Sequence, residues 1–135
     1  MTDTAPRHQQ RERALSLLYE AELKGEAPLR VVDALPLPPD PFVLTLIEQV
    51  VASREEADRR IAAASVGWSL ERMAVIDRIV LRMAVAELLD AEGPPVAVVI
   101  DEAVELVKAY STDESGRFVN GILSTIAADI GPSSP

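Results

Sequence analysis

Three arginines stand near the start of the chain, Arg7, Arg11 and Arg13. A fourth sits beside a ring near its end, Arg117–Phe118, just after the acceptors Asp113, Glu114 and Ser115. Guanidinium groups hold phosphate oxygens, an aromatic face stacks on an unpaired base, and carboxylates accept from base edges, so this set suits single-stranded RNA. Each cluster has a plainer reading. Thr112 to Ser115 can cap a helix with Phe118 packing inward, which needs no ligand. The N-terminal arginines can be a frayed, solvated start rather than a binding arm.

Catalysis has little to work with. The chain has no cysteine, which excludes disulfides, thiolate metal sites and thiol nucleophiles, and His8 is its only histidine. Zinc helices of the His-Glu-x-x-His type and the Glu-x-x-His pairs of di-iron bundles therefore cannot be built. Neither Gly-x-Gly-x-x-Gly nor Gly-x-x-x-x-Gly-Lys occurs. Carboxylates are numerous, but on a helical chain most belong to solvated faces. No enzyme, metal or cofactor is expected.

The net charge of −9 repels a polyanion at long range, which argues against bulk electrostatic coating of nucleic acid. It is unevenly spread. Residues 1–13 set three arginines against Asp3 and Glu12, a local +1 that leaves −10 elsewhere. An RNA reader built on this chain needs a local basic patch, specific base contacts and cations from a partner. The longest apolar run, Val96 to Ile100, is far short of the roughly 20 residues of a membrane span, and no signal-peptide core follows the N-terminal arginines. No membrane association and a cytoplasmic location are expected.

The elements that position these residues read as helices. With 135 residues and 48% hydrophobic content, the chain is sized for one domain. Ala14, Leu17, Leu18 and Ala21 place a first helix from about residue 7 to 24, ahead of Gly25. Its apolar stripe runs back into charge: Leu18 lies seven residues after Arg11, and Leu15 eight after Arg7. Pro36, Pro38, Pro39 and Pro41 form a rigid connection, with Asp40 able to cap and Pro41 suited to a first helical turn. The helix that follows runs to about Ser53. Ser53 and Glu56 have capping-box spacing for another, reaching about Ala64.

Trp68 precedes a cap at Ser69, with Met73 placed for a hydrophobic staple, and is expected to pack in the core at a hinge. Leu70 to Leu89 reads as one central helix, apolar except for the line Glu71, Arg78 and Arg82. Glu87 falls off that line. It is either a functional buried carboxylate or, more commonly, one bonded to an arginine or a helix end. Val96 to Ile100 is locally strand-like, but Val96, Val99, Ile100, Ala103, Val107 and Tyr110 keep helical rhythm for four turns. A last helix carries Val119, Ile122, Leu123 and Ile126, with Gly121 expected to permit close helix contact. Residues 1–6 and 131–135 are expected to be disordered tails.

Phe118-Val119-Asn120-Gly121-Ile122-Leu123, reached through Ala97 to Lys108 and Ser111 to Ser115, resembles the C-terminal signature of the NusB family. Arg11 to Glu20 and Glu71 to Leu88 agree with the family in order and spacing. The resemblance covers roughly Arg7 to Ala127. It implies an all-α fold of about seven helices in two packed small bundles. It also implies a function: pairing with the ribosomal protein NusE, binding the boxA element of nascent RNA, and helping RNA polymerase read through terminators, notably in ribosomal RNA operons. By alignment with the family, Arg7 and Arg11 fall on the N-terminal arginine motif, Glu114, Arg117 and Phe118 in the RNA-contacting C-terminal region, and Tyr19 and Asp77 on the NusE-facing surface; Arg13, in the same arginine cluster, is expected to bind RNA with Arg7 and Arg11. Here His8, Gln9 and Gln10 thin the arginine run, which shifts weight to the partner. Two alternatives stand beside this reading. One is a protein-binding adaptor, or a homodimer burying the arginine face. The other is an isolated RNA-binding module like those preceding ribosomal RNA cytosine methyltransferases.

Overall fold

The computed structural model describes residues 5–131. Among them are seven α-helices and no strand: α1 (Arg7–Lys24), α2 (Pro28–Asp33), α3 (Pro41–Ala52), α4 (Arg54–Ala64), α5 (Val75–Leu89), α6 (Val96–Tyr110) and α7 (Asp113–Ile130), with one 3-10 turn, Leu70–Arg72. Most of the two expected tails lies outside the described residues.

Helix α5 is the hub. Every residue from Ile79 to Glu87 is buried, and α1 and α3 pack on one side of it while α4, α6 and α7 pack on the other. The α2 helix closes the first group against α1 and α3, and α6 and α7 form an extensively packed pair in the second. The result is two small bundles sharing α5. One continuous aliphatic core runs through both, including Leu17, Leu46, Ile47, Ile61, Leu81, Leu106 and Leu123. No helix among the described residues is long and apolar enough to cross a membrane.

Helix ends follow from backbone chemistry. The α1 helix stops at Gly25, whose φ of 64° is left-handed and whose amide donates to Ala21 and Glu22 carbonyls. Pro41 occupies the first turn of α3 as expected, but the Asp40 side chain makes no cap and instead accepts from Gln10 Nε2 at 3.3 Å. The Ser53–Glu56 capping box does not form. The Ser53 hydroxyl donates back to the Gln49 carbonyl at 2.7 Å, and Glu56 pairs with Arg59 and Arg60.

Three further expectations are corrected. The stretch Leu70 to Leu89 is not one helix, because Met73 and Ala74 are extended (ψ 148° and 140°) between the 3-10 turn and α5. Arg78 stabilises that break by donating Nη1 to the Leu70 carbonyl at 3.1 Å. Trp68 is not core; half of its surface (50%) is exposed. The close approach between α6 and α7 is at Gly116, where a Cβ would lie 3.2 Å from Lys108 Cε and 3.5 Å from Val104 Cγ1, whereas a Cβ on Gly121 would meet nothing within 4 Å.

Candidate RNA interface

The N-terminal arginines do not form one patch. Arg7 is exposed, lies over the Phe42 ring at 4.2 Å and donates to Gln10 Oε1. Phe42 is the second residue of α3, so the end of the proline-rich connection orders the start of α1. Arg13 is also exposed, but six residues further, about 240° around the helix, it projects from another side.

Arg11 goes inside. It is 3% exposed, and its Nε and Nη2 donate to Glu87 Oε2 at 3.0 Å and Oε1 at 2.7 Å. Burial opposes the charged guanidinium, but the hydrogen bonds and charge of Glu87 override it and raise the Arg11 pKa. The phase shared with Leu18, two turns on, is what carries Arg11 under the surface. Glu87 is therefore the arginine-bonded carboxylate of the two readings given above.

A second polar network joins α1 to α6. His8 Nδ1 lies 3.0 Å from Glu102 Oε2 and His8 Nε2 3.7 Å from Glu12. The Tyr110 hydroxyl donates to Glu12 Oε2 at 2.5 Å. Both pKa values are raised: His8 by its hydrogen bond to Glu102, which outweighs desolvation, and Tyr110 by its hydrogen bond to Glu12.

The α7 start is a capped knot. Thr112 Oγ1 accepts from the Ser115 amide at 3.1 Å, with Asp113 and Glu114 in the first turn where they complement the helix dipole. Buried Ser115 donates its hydroxyl to Asp77 Oδ2 at 2.8 Å, tying α7 to α5. Glu114 and Arg117 are exposed and Phe118 is half-buried, packed against the core. The capping reading and an accessible charged rim thus hold together.

Tyr19 and Asp77 line different grooves. Tyr19 lines an apolar groove with Leu15, Ile76 and Tyr110. Asp77 is 6% exposed and faces a different groove, with Trp68 and Phe118. Its Oδ1 has no hydrogen-bond partner, and leaving a buried acceptor unmet costs about 1–3 kcal/mol.

Arg7, Arg13, Arg72 and Arg117 join no ion pair among the described residues. Between the two candidate stations runs the face of α6 with Glu102 at His8 and Asp101, Glu105 and Lys108 beside Arg117. Sequence reasoning missed Phe42, Glu102 and Tyr110 as organisers of α1. The aromatic directly after Pro41 was the only local signal; the other two need the α1–α6 packing.

The NusB family model matches residues 8–128. Transcription antitermination protein NusB of Saccharopolyspora erythraea is 47% identical over 127 residues, covering 90% of this chain and 86% of that protein. The Acidothermus cellulolyticus protein of the same name is 42% identical, covering 88% and 85%. Among solved structures, T. maritima NusB superposes with a TM-score of 0.86 at 34% identity, covering 96% of each chain. A chain from the complex of antitermination factors NusB and NusE with dsRNA gives 0.77 at 31% identity, covering 91% of this chain and 96% of that one.

Proposed function

This chain belongs to the NusB family, and we propose that it is a cytoplasmic, non-catalytic transcription antitermination factor. In this reading it is a single RNA-binding domain that holds boxA-type single-stranded RNA together with the ribosomal protein NusE, within the RNA polymerase antitermination complex. The observation that carries the proposal is the likeness over nearly the whole chain to NusB proteins, one of them in a complex with NusE and RNA.

The geometry supports specific roles. Arg7 and Arg13 meet phosphates from two sides of α1, and Arg117 and Glu114 form the rim beside Phe118, which offers a ring to a base. Tyr19 anchors the partner protein through its apolar groove. Arg11 and Asp77 act from beneath: Arg11 fixes α1 to α5 through Glu87, and Asp77 fixes the α7 start through Ser115. The carboxylates of α6 between the stations oppose RNA, so the partner's cations are part of the binding surface.

The test is the salt dependence of binding to a boxA-type RNA in the presence of NusE. Arg7→Ala and Arg13→Ala should each weaken binding and flatten the slope of log affinity against log salt by about 0.7, the loss of one phosphate contact on a single strand. Tyr19→Ala should instead weaken association with NusE. Unchanged slopes in both arginine variants would remove the N-terminal station. The acidic α6 face and the burial of Arg11 favour, as a second reading, a protein-binding adaptor; it predicts NusE association with no RNA binding.

A further inference from the structure

A cleft of about 180 Å³ opens where α1, α2, α3, α4 and α5 meet. Its floor is the buried aliphatic set Leu18, Ala21, Val50 and Ile79. An apolar cavity of about 150 Å³ holds benzene, so this space suits a molecule no larger than a small metabolite. The cleft shares no lining residue with the grooves at Tyr19, Trp68 or Arg117. It therefore stands apart from the surfaces assigned above to RNA and to the partner protein.

The polar lining leaves one charge of each sign unmatched. Arg82 is 7% exposed, and its Nε and Nη2 donate to Asp58 Oδ1 at 2.7 Å and Oδ2 at 3.1 Å. Arg54 Nε also donates to Asp58 Oδ2, at 3.4 Å. Two guanidinium groups thus share one carboxylate, and one positive charge is left over. Arg82 Nη1 makes no hydrogen bond among the described residues, yet it is not one of the sealed-off side-chain atoms that lack a partner. A ligand can reach it. The carboxylates of the lining come from the end of α1 and the turn after it. Glu22 is satisfied by Arg78 Nη2 at 2.9 Å, whereas Glu26 joins no ion pair among the described residues. An unmatched cation and an unmatched anion above an aliphatic floor complement a small zwitterion with an aliphatic tail.

We propose that this cleft is a binding site for an aliphatic α-amino acid, whose carboxylate meets Arg82 Nη1 and Arg54, whose ammonium meets Glu26, and whose side chain lies on Val50 and Ile79. The site goes beyond the RNA-binding reading and does not depend on it. Its ligand joins α1 and α3 to α4 and α5, and so bridges elements of both bundles.

The full chain should be titrated with L-leucine, followed by calorimetry and by the methyl carbon–proton spectrum. Binding should saturate at one molecule per chain with a Kd of about 0.1–1 mM. The methyl signals of Val50 and Ile79 should move while those of Val104, on α6, stay in place. Two truncated ligands divide the site: 4-methylpentanoate lacks the amine and 3-methylbutylamine lacks the carboxylate, and each should bind about tenfold more weakly than leucine. Arg54 and Glu26 are exposed, so their variants keep the fold. Arg54→Gln should weaken leucine and 4-methylpentanoate about threefold and leave 3-methylbutylamine unchanged; Glu26→Gln should weaken leucine and 3-methylbutylamine to the same degree and leave 4-methylpentanoate unchanged. Arg82→Gln should abolish binding, and if it loses helix content the two exposed variants decide. No saturation and no methyl shift up to about 20 mM leucine, well above that Kd range, overturns the site. Equal binding of leucine and 4-methylpentanoate overturns the amino-acid assignment. Val50 and Ile79 signals that respond to NusE and not to leucine assign the cleft to protein and overturn the proposal as well.

Discussion

At the residue scale, the Arg11–Glu87 pair shows how a correct phase can carry the wrong consequence. The spacing from Arg11 to Leu18 put both on one stripe of α1, and the stripe reads as a surface patch only if α5 offers no partner for a cation. Glu87, 76 positions away, supplies that partner. A buried ion pair is expensive to break from one side. Arg11→Met should therefore cost about 3–5 kcal/mol in urea unfolding, and Arg11→Met with Glu87→Met should recover most of it, since apolar replacement of both partners is often near neutral. An equal loss in the single and double variants would mean that the pair does not hold α1 to α5. RNA binding lost in an Arg11 variant then reports on α1 order rather than on a phosphate contact. His8 gives a pH dependence. Its folded pKa is raised above 6.5 by Glu102, with Glu12 and Glu105 adding to it. The pair therefore contributes its full stability below the unfolded value and loses it as pH rises through the folded one. Melting temperature should fall as pH rises from about 6.5, the ordinary imidazole value, through the raised folded value, and His8→Gln should flatten that part of the curve.

At the element scale, most helices were legible because each carries its own apolar period and a local stop. Gly25, the prolines before Pro41 and Gly93-Pro94-Pro95 fall where helices end. The break at Met73–Ala74 was not legible, as neither residue is a breaker and the event that stabilises it is a side chain reaching from Arg78 to Leu70. The Ser53 capping box failed for a related reason: Ser53 ends α3 as well as starting α4, and its hydroxyl turns back to Gln49. Thr112 is a working cap, so Thr112→Ala should lower stability by about 1 kcal/mol. Gly121 is open to solvent inside α7, where alanine should raise stability by about 0.5–1 kcal/mol, read as a higher denaturant midpoint. A destabilised Gly121→Ala would mean that α7 needs backbone freedom or a close neighbour at that point. The candidate site was half legible. Arg117 and Phe118 are adjacent in sequence, whereas Trp68 faces Phe118 across fifty positions and is joined to it only by the packing of α5 against α7.

At the scale of the whole molecule, charge decides what the chain can bind alone. The chain carries −9 overall, its innermost N-terminal arginine is consumed by Glu87, and α6 sets carboxylates between the α1 and α7 stations. Two exposed arginines on α1 and one on α7 cannot offset that field at a distance, because like charge lowers both encounter and affinity. Sequence-specific binding thus calls for a second, cationic protein lying alongside. The most direct measurement is fluorescence anisotropy of a labelled boxA-type RNA against this protein, NusE and an equimolar mixture, across a salt series. The mixture should bind more tightly than either protein alone, with affinity that falls with salt and depends on sequence. RNA binding by the mixture no tighter than by NusE alone would contradict that expectation.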